Sequence, residues 1–276
     1  MFEILKTIIL GIVQGITEWL PVSSTGHMIL VNEFIQLDVT PAFWKLFSVV
    51  IQFGSIMAVL LLYFHRLNPF SPKKDAAAKK DTWQLWFKVC AAVLPAAVIG
   101  LMFDDYIDSV LSGYVTVSIM LIVYGVLFIL IENSRKGKPT AINSVADLSY
   151  KQALVIGVFQ MLALIPGTSR SGATIVGSLL IGCSRTFASE FSFFLAIPTM
   201  AGASGLRLLK YVLESGLSFT GMELAILAVG MITAFVVSVI AIRGLMAFVK
   251  KHDFKAFGYY RIVLGVLVLL YFLLIK

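Results

Sequence analysis

Two apolar stretches of this 276-residue sequence are interrupted by residues that could perform chemistry. In the first stretch, Gln14 and Glu18 stand four positions apart, so on a helix they share one face. Pro21 limits how far that helix can continue before the turn VSSTGH at 22–27. A carboxylate at membrane depth is costly and usually faces a polar cavity or a partner. Glu18 is therefore a candidate functional acid, and the alternative is an ion pair that ties two segments together.

Hydroxyl groups follow in the turn of the first stretch. Ser23, Ser24 and Thr25 stand where a second half-helix should begin, and such residues are ordinary helix N-caps. A helix N-terminus is also a ready anion site, and a hydroxyl beside a carboxylate there can be a nucleophile. His27 follows three residues after Ser24 as a candidate acid or base, and the alternative is a polar residue whose hydrogen bonds are satisfied locally.

The second stretch carries the run PGTSRSG at 166–172. Arg170 stands between Ser169 and Ser171, with Thr174 one turn later, again at the expected start of a half-helix. Arginine is planar, always charged and suited to bidentate phosphate binding. A counter-ion for the carboxylate of the first stretch is the alternative, and one guanidinium can serve both roles. Together the two stretches predict a phosphate site.

The elements that must place these groups together are membrane helices. The sequence is 59% hydrophobic and 13% charged, and its apolar residues fall in long runs, which excludes a soluble enzyme. A helix needs about 20 apolar residues to cross the ~30 Å hydrocarbon layer. Six such spans lie at 43–64, 84–103, 113–132, 187–210, 221–249 and 257–275. Cys90 and Cys183 lack metal-ligand spacing, so neither a zinc site nor a disulfide is expected.

The two interrupted stretches, 3–34 and 150–182, are too short in each half to span comfortably. Interrupted apolar segments in matching places of two halves point to a binding site near the membrane midplane. When one-residue gaps are allowed, the residues Gln14, Pro21, Ser23, Ser24 and Gly26 reappear in order as Gln160, Pro166, Thr168, Ser169 and Gly172. Each interrupted stretch is followed by three spans. Because three is an odd number of membrane crossings, the two halves must have opposite orientations in the membrane.

We therefore predict an all-α integral membrane protein that forms a single membrane domain over residues 1–276. It has six spanning helices and two re-entrant helical hairpins. These elements are arranged as an inverted repeat, with halves at about 1–132 and 150–276.

The charge of the loops predicts the orientation of the spans. Lys and Arg concentrate in three loops, 65–82, 133–149 and 250–256. The other two loops, 104–112 and 211–219, carry acidic residues and neither Lys nor Arg. Basic loops are typically cytoplasmic, so both termini are expected outside. The first hairpin then enters from outside and the second from the cytoplasm. The net charge of +7 thus indicates orientation and not a nucleic-acid partner.

The motifs QGITEWLPVSSTGH at 14–27 and PGTSRSGAT at 166–174 resemble the two signature motifs of the undecaprenyl pyrophosphate phosphatase family, the bacitracin-resistance proteins. The similarity covers the whole chain, including FSFFLAIPTMAGA at 191–203. The resemblance implies a multi-pass enzyme of the bacterial plasma (inner) membrane, with its active site open to the outer face. Its reaction would be phosphoric anhydride hydrolysis, in which C55 undecaprenyl pyrophosphate becomes the monophosphate and inorganic phosphate. This step recycles the lipid carrier of peptidoglycan synthesis.

The resemblance also implies roles for individual residues. By position, the catalytic or phosphate-binding residues are Glu18, Ser24, His27 and Arg170. We expect substrate binding from Gln14, Ser23, Thr25, Ser169, Ser171 and Thr174. Family members need a divalent cation, Mg²⁺ or Ca²⁺, for which Glu18 is the expected ligand and which the pyrophosphate itself could bring. Gln14 stands where the family has Glu or Gln, which weakens a mechanism with two charged carboxylates.

The mechanism we expect is phosphoryl transfer. Arg170 and the half-helix N-termini would bind the pyrophosphate, Glu18 would position the metal or act as base, and Ser24 or water would attack. His27 would be an acid or base.

Two rival functions remain open at this point. A lipid or anion transporter or flippase would use the same inverted repeat. A lipid phosphatase with a histidine nucleophile needs a second site histidine, and only His65 and His252, in predicted cytoplasmic loops, remain. The expected partners are the lipid pyrophosphate and the membrane, and the oligomeric state is left open, with a homodimer among the alternatives.

Overall fold

A computed structural model describes residues 2–111, 113–216 and 219–274. These residues form α-helices and one short 3-10 turn at Leu162–Leu164. The helices are α1 (Phe2–Thr17), α2 (Ser24–Phe34), α3 (Pro41–Leu62), α4 (Phe64–Leu67), α5 (Ala76–Leu111), α6 (Tyr114–Arg135), α7 (Tyr150–Met161), α8 (Arg170–Leu180), α9 (Arg185–Ser215), α10 (Gly221–Val249) and α11 (Lys255–Leu274).

Six of the described helices are long and apolar enough to cross a membrane, and they confirm the six predicted spans. They are α3, α5, α6, α9, α10 and α11. The all-α class of the protein is confirmed with them.

Two of the spanning helices extend further than their apolar runs predict. α5 begins at Ala76, inside the predicted loop 65–82, and continues into the predicted loop 104–112, and α9 continues into the predicted loop 211–219. An apolar run marks only the part of a helix that lies in hydrocarbon, and polar residues can prolong the helix until a glycine or proline stops it. The next glycines are Gly113 and Gly216. Positions 112, 217 and 218 of these loops lie outside the described residues.

Two pairs of short helices lie where the sequence is interrupted. α1 and α2 have 16 and 11 residues, and α7 and α8 have 12 and 11, fewer than a spanning helix needs. In the first pair the start of α1 lies next to the segment that follows α2, since the backbone N–H of Asp38 donates to the Glu3 carboxylate at 2.9 Å. In the second pair α7 packs on α8, and the flanking residues Ile142 and Cys183 form a bridge. We call these pairs the first and second hairpins.

Small residues let the long helices pack closely. α6 lies against α11, where a Cβ on Gly125 would come within 2.7 Å of the Gly258 carbonyl oxygen, and one on Gly258 equally close to that of Gly125. α5 lies against α7, where a Cβ on Gly157 would meet the Ala92 carbonyl oxygen at 2.3 Å. Any larger side chain at these positions would push the helices apart, since close backbone approach is how membrane helices gain packing contacts.

The three basic loops gather at one end of the helix bundle, which we call the basic end. Glu132, near the end of α6, accepts hydrogen bonds from the Arg185 guanidinium at 2.6 Å and from the backbone N–H of Phe254 at 3.0 Å. Arg66 and Lys74 of loop 65–82 line a second cavity together with Ser144 and Val145 of loop 133–149. These contacts join the ends of helices that the sequence separates widely, so positive charge collects on one side of the molecule.

Candidate active site

A cavity of about 390 Å³ lies where the turns of the two hairpins meet. Five of the predicted site residues line it, namely Glu18, Ser24, Thr25, Ser169 and Arg170. The rest of the wall comes from α3, α5, α7 and α9 and from the 3-10 turn, and most of these lining residues are apolar. The cavity therefore combines a small polar floor with a larger apolar wall.

Glu18 is the centre of the polar floor. Its side chain is 5% exposed, and one carboxylate oxygen accepts hydrogen bonds from Gln14 Nε2 at 2.7 Å and from Ser24 Oγ at 2.8 Å. The other oxygen accepts from the Arg170 guanidinium at 3.2 Å. A buried carboxylate is tolerated only with such partners. The structure thus brings together three of the four predicted catalytic residues, two from the first hairpin and one from the second.

The backbone explains why the Ser24 hydroxyl can reach Glu18. Ser23, not Ser24, is the N-cap of α2, and its Oγ accepts from the backbone N–H of Gly26 at 3.3 Å. Ser23 has a φ of 73°, in the left-handed region that residues other than glycine rarely adopt. Such strain persists where the surroundings hold it and is common at functional sites. Because the neighbouring serine satisfies the helix end, the Ser24 hydroxyl is available to the carboxylate.

The second hairpin repeats this cap. Ser169 has a φ of 74°, and its Oγ accepts from the backbone N–H of Gly172 at 3.1 Å. The structure therefore pairs Ser169 with Ser23, whereas the ordered comparison of the two stretches paired it with Ser24. That pairing was shifted by one residue because the ordered match allowed gaps around the prolines. In the corrected register the structural counterpart of Ser24 is Arg170.

Arg170 is held from two sides. One terminal nitrogen donates to the Ser192 carbonyl oxygen at 2.6 Å and the other to Glu18, and the guanidinium lies 5.8 Å from the Trp19 ring. Its Nε is buried and has no hydrogen-bond partner among the described residues. The side chain is 10% exposed and lines the cavity. A buried cation with an unpaired donor beside a cavity can bind an anion, and anion binding by Arg170 stays a prediction.

His27 lies behind the cavity floor and not in its lining. Its Nδ1 is 2.8 Å from the Ser23 carbonyl oxygen, and its Nε2 is 2.7 Å from the Tyr260 hydroxyl. A carbonyl only accepts, so Nδ1 carries the proton and, in the neutral ring, Tyr260 donates to Nε2. These contacts support the strained Ser23 turn. A direct acid or base role for His27 stays a prediction.

The other predicted binding residues also stand behind the lining. Ser171 Oγ approaches the Glu18 carbonyl oxygen at 3.3 Å, which joins the two turns. Thr174 Oγ1 donates to Ser192 Oγ at 2.7 Å. Gln14, described above, orients Glu18, and direct contact of these side chains with substrate stays a prediction.

Arg261 is a site residue that sequence reasoning missed. It is fully buried in α11 and donates to the carbonyl oxygens of Pro21 at 3.1 Å, Gly167 at 2.8 Å and Thr168 at 2.9 Å. One guanidinium therefore holds the backbones of both hairpin turns. The available signal was an arginine inside the predicted span 257–275, because a charge at membrane depth is seldom without a function.

Comparison with known proteins places this arrangement in context. Residues 7–267 match the family described as bacitracin resistance protein BacA. The chain is 59% identical over 276 residues to a protein of Acetivibrio thermocellus named undecaprenyl-diphosphatase, with all of both chains covered. A protein of the same name from Enterococcus faecalis is 59% identical over 268 residues, 97% of each chain. Another from Lactiplantibacillus plantarum is 56% identical over 275 residues, with 100% of each chain covered.

Proposed function

Since this chain belongs to the bacitracin resistance protein BacA family, we propose that the Glu18–Ser24–Arg170 cavity is where it hydrolyses undecaprenyl diphosphate. Hydrolysis of this lipid diphosphate is the function carried by relatives that match the chain along nearly its whole length. The observation that supports the site is the hydrogen-bonded set in which Ser24 and Arg170 both donate to one buried carboxylate.

The cavity floor suits a diphosphate. Two helices, α2 and α8, begin there, and a helix N-terminus presents unpaired backbone N–H groups and partial positive charge. Arg170 adds a full positive charge and the unused Nε donor. When the diphosphate enters, the guanidinium can exchange part of its contact with Glu18 for phosphate oxygens. The carboxylate is then left facing the Ser24 hydroxyl.

In this mechanism Glu18 acts as the general base. It accepts the proton of Ser24, or of a water held in its place, as that oxygen attacks the terminal phosphorus. The bond from this phosphorus to the bridging oxygen breaks, and the bridging oxygen leaves with the lipid monophosphate. If Ser24 attacks, water then cleaves the phosphoserine and releases inorganic phosphate. Arg170 stabilises the charge that develops on the phosphate oxygens.

A divalent cation fits the oxygen donors of this floor. Among the described residues no group of three or more His, Cys, Asp or Glu could hold a metal alone. Glu18 lines the cavity and offers the carboxylate oxygen that faces Arg170, apart from the oxygen that faces Ser24. Mg²⁺ is commonly bound through one or two carboxylates plus substrate phosphates. Glu18 would hold such an ion together with the diphosphate, and the ion would neutralise phosphate charge.

The apolar wall suits the prenyl chain. It is formed by the middle and later parts of α5 and α9, with lining residues that include Val93, Ala96, Leu101, Pro198, Met200 and Leu206. α9 starts at the basic end and contacts Arg170 at Ser192, so its lining residues from Pro198 onward lie farther from the basic end than this turn does. Basic loops are typically cytoplasmic, and the cavity then opens toward the outer face of the plasma membrane.

Reciprocal helix packing supports the inverted repeat with re-entrant hairpins. α1 of the first half packs on α10, and α7 of the second half packs on α5. α3 likewise packs on α10, and α9 on α5. α6 packs on α11, and α3 on α9. Reciprocal pairs of this kind are what a two-fold axis requires. In this arrangement each hairpin enters and leaves the membrane on one side, and their turns meet inside it.

The same architecture occurs in transporters, and one assay separates the two functions. We expect purified protein to release inorganic phosphate from undecaprenyl diphosphate without any gradient. EDTA should stop this release, and added Mg²⁺ or Ca²⁺ should restore it. Glu18→Gln, which keeps the shape of the side chain, should lower kcat about 10²-fold or more. Lipid movement across vesicles without phosphate release would instead assign transport.

A further inference from the structure

Gln160 is a buried polar side chain at the cavity that the mechanism above does not use. It lies in the last turn of α7, its exposure is 1%, and it is among the residues that line the cavity. Neither its Nε2 nor its Oε1 has a hydrogen-bond partner among the described residues. A buried amide with both ends unpaired costs folding free energy, and such groups are rare in native proteins unless a ligand or water satisfies them.

The internal repeat explains why Gln160 has no hydrogen-bond partner among the described residues. Its counterpart is Gln14, at the same sequence separation that relates Ser169 to Ser23. Gln14 donates to Glu18, one turn later on its helix. The position equivalent to Glu18 in the second half is Leu164, which offers no acceptor. The Nε2 donor is thus paired in the first hairpin, whereas in the second hairpin it has no partner among the described residues and belongs to a side chain that lines the cavity.

The unpaired groups of the cavity match one ligand chemistry. Arg170 Nε and Gln160 Nε2 are both buried donors without partners among the described residues, and both residues line the same space. Phosphate oxygens accept hydrogen bonds from both charged and neutral donors. A carboxamide adds a donor without adding charge. It therefore does not compete with Arg170 for Glu18, as a second cation would.

We infer that Gln160 is a further substrate-binding residue, whose Nε2 donates to an oxygen of the diphosphate. The inference rests on the proposed function of this cavity. In the ligand-bound site its Oε1 accepts from water that enters with the diphosphate. Gln160 therefore binds and orients the head group from the second hairpin, whereas Ser24 belongs to the first.

Two substitutions test this role against a structural one. Gln160→Leu removes both unpaired polar groups at similar size, so Tm should rise while kcat/KM falls about tenfold or more through the lost hydrogen bond to a charged group. Gln160→Glu replaces the donor with an anion, so its kcat/KM should fall further. Ser118→Ala is the matched control, because Ser118 Oγ is also buried without a partner among the described residues but lies outside the cavity lining. Its kcat/KM should equal that of the parent.

A binding measurement provides a readout apart from turnover. A prenyl methylenediphosphonate, which cannot be hydrolysed at the bridge, should raise the Tm of the parent and of Ser118→Ala, and should raise that of Gln160→Leu markedly less. A Tm of Gln160→Leu below that of the parent, a kcat/KM within twofold of it, or an unchanged response to the diphosphonate would overturn the assignment. Failure of the proposed function is distinct, since the parent itself would then release no phosphate.

Discussion

Replacing Arg170 by lysine tests whether this residue binds phosphate or merely neutralises Glu18. In the structure its two terminal nitrogens reach opposite partners, the Ser192 carbonyl oxygen at 2.6 Å and Glu18 at 3.2 Å. Its Nε is a third donor, buried and without a hydrogen-bond partner among the described residues. The single Nζ of lysine is a point charge and cannot occupy all three positions. A neutralising role would survive this change, whereas a directed phosphate contact would not.

The expected magnitude follows from the lost donors. Losing one donor to a developing oxyanion typically lowers kcat about 10²-fold or more, and Arg170→Lys loses at least one. Tm should change little, because lysine keeps a cation next to Glu18. Phosphate release should be measured on equal amounts of folded protein, with a thermal melt for each sample. Arg66→Lys is the matched control, because Arg66 also pairs with a carboxylate, that of Glu190, but lies outside the cavity lining.

A kcat/KM of Arg170→Lys protein within a few-fold of the parent would contradict a directed phosphate contact. Arg170 would then be a structural counter-ion, and the phosphate site would need another cation.

Three further predictions follow from the same contacts. Ser24→Ala should lower kcat by orders of magnitude if serine is the nucleophile. Its Tm should be unchanged because Ser23 provides the cap of α2. Near-normal turnover of folded Ser24→Ala protein would leave water as the nucleophile. Arg261→Met leaves several turn carbonyls without a donor, so it should cost at least about 3 kcal/mol of stability and lower Tm, and an unchanged melt would contradict its role as a clamp. A cysteine at Lys74 should react with an impermeant thiol reagent only from the cytoplasm and one at Val110 only from outside, whereas labelling of both from one face would contradict the inverted topology.

Local spacing predicted much of the candidate site. Gln14 and Glu18 share a helix face because they are one turn apart, and the structure joins them by a hydrogen bond of 2.7 Å. Local spacing could not choose among three adjacent hydroxyl residues, since any of them can cap a helix. The choice depends on the backbone of Ser23, whose positive φ gives it the cap and leaves the Ser24 hydroxyl for Glu18. His27 was close in sequence to this pair, but its ring points to Tyr260.

The sequence by itself determined the membrane helices and the two interrupted segments, because the thickness of hydrocarbon sets a local requirement that can be counted along the chain. It also supplied the motifs that mark the family. Only the tertiary structure decided which distant groups meet: Arg170 and Glu18 are 152 residues apart, and Arg261 reaches both turns from the last helix. It also decided that Gln160 has no partner among the described residues. Such contacts depend on how whole helices pack against one another, and no local pattern of residues encodes that packing.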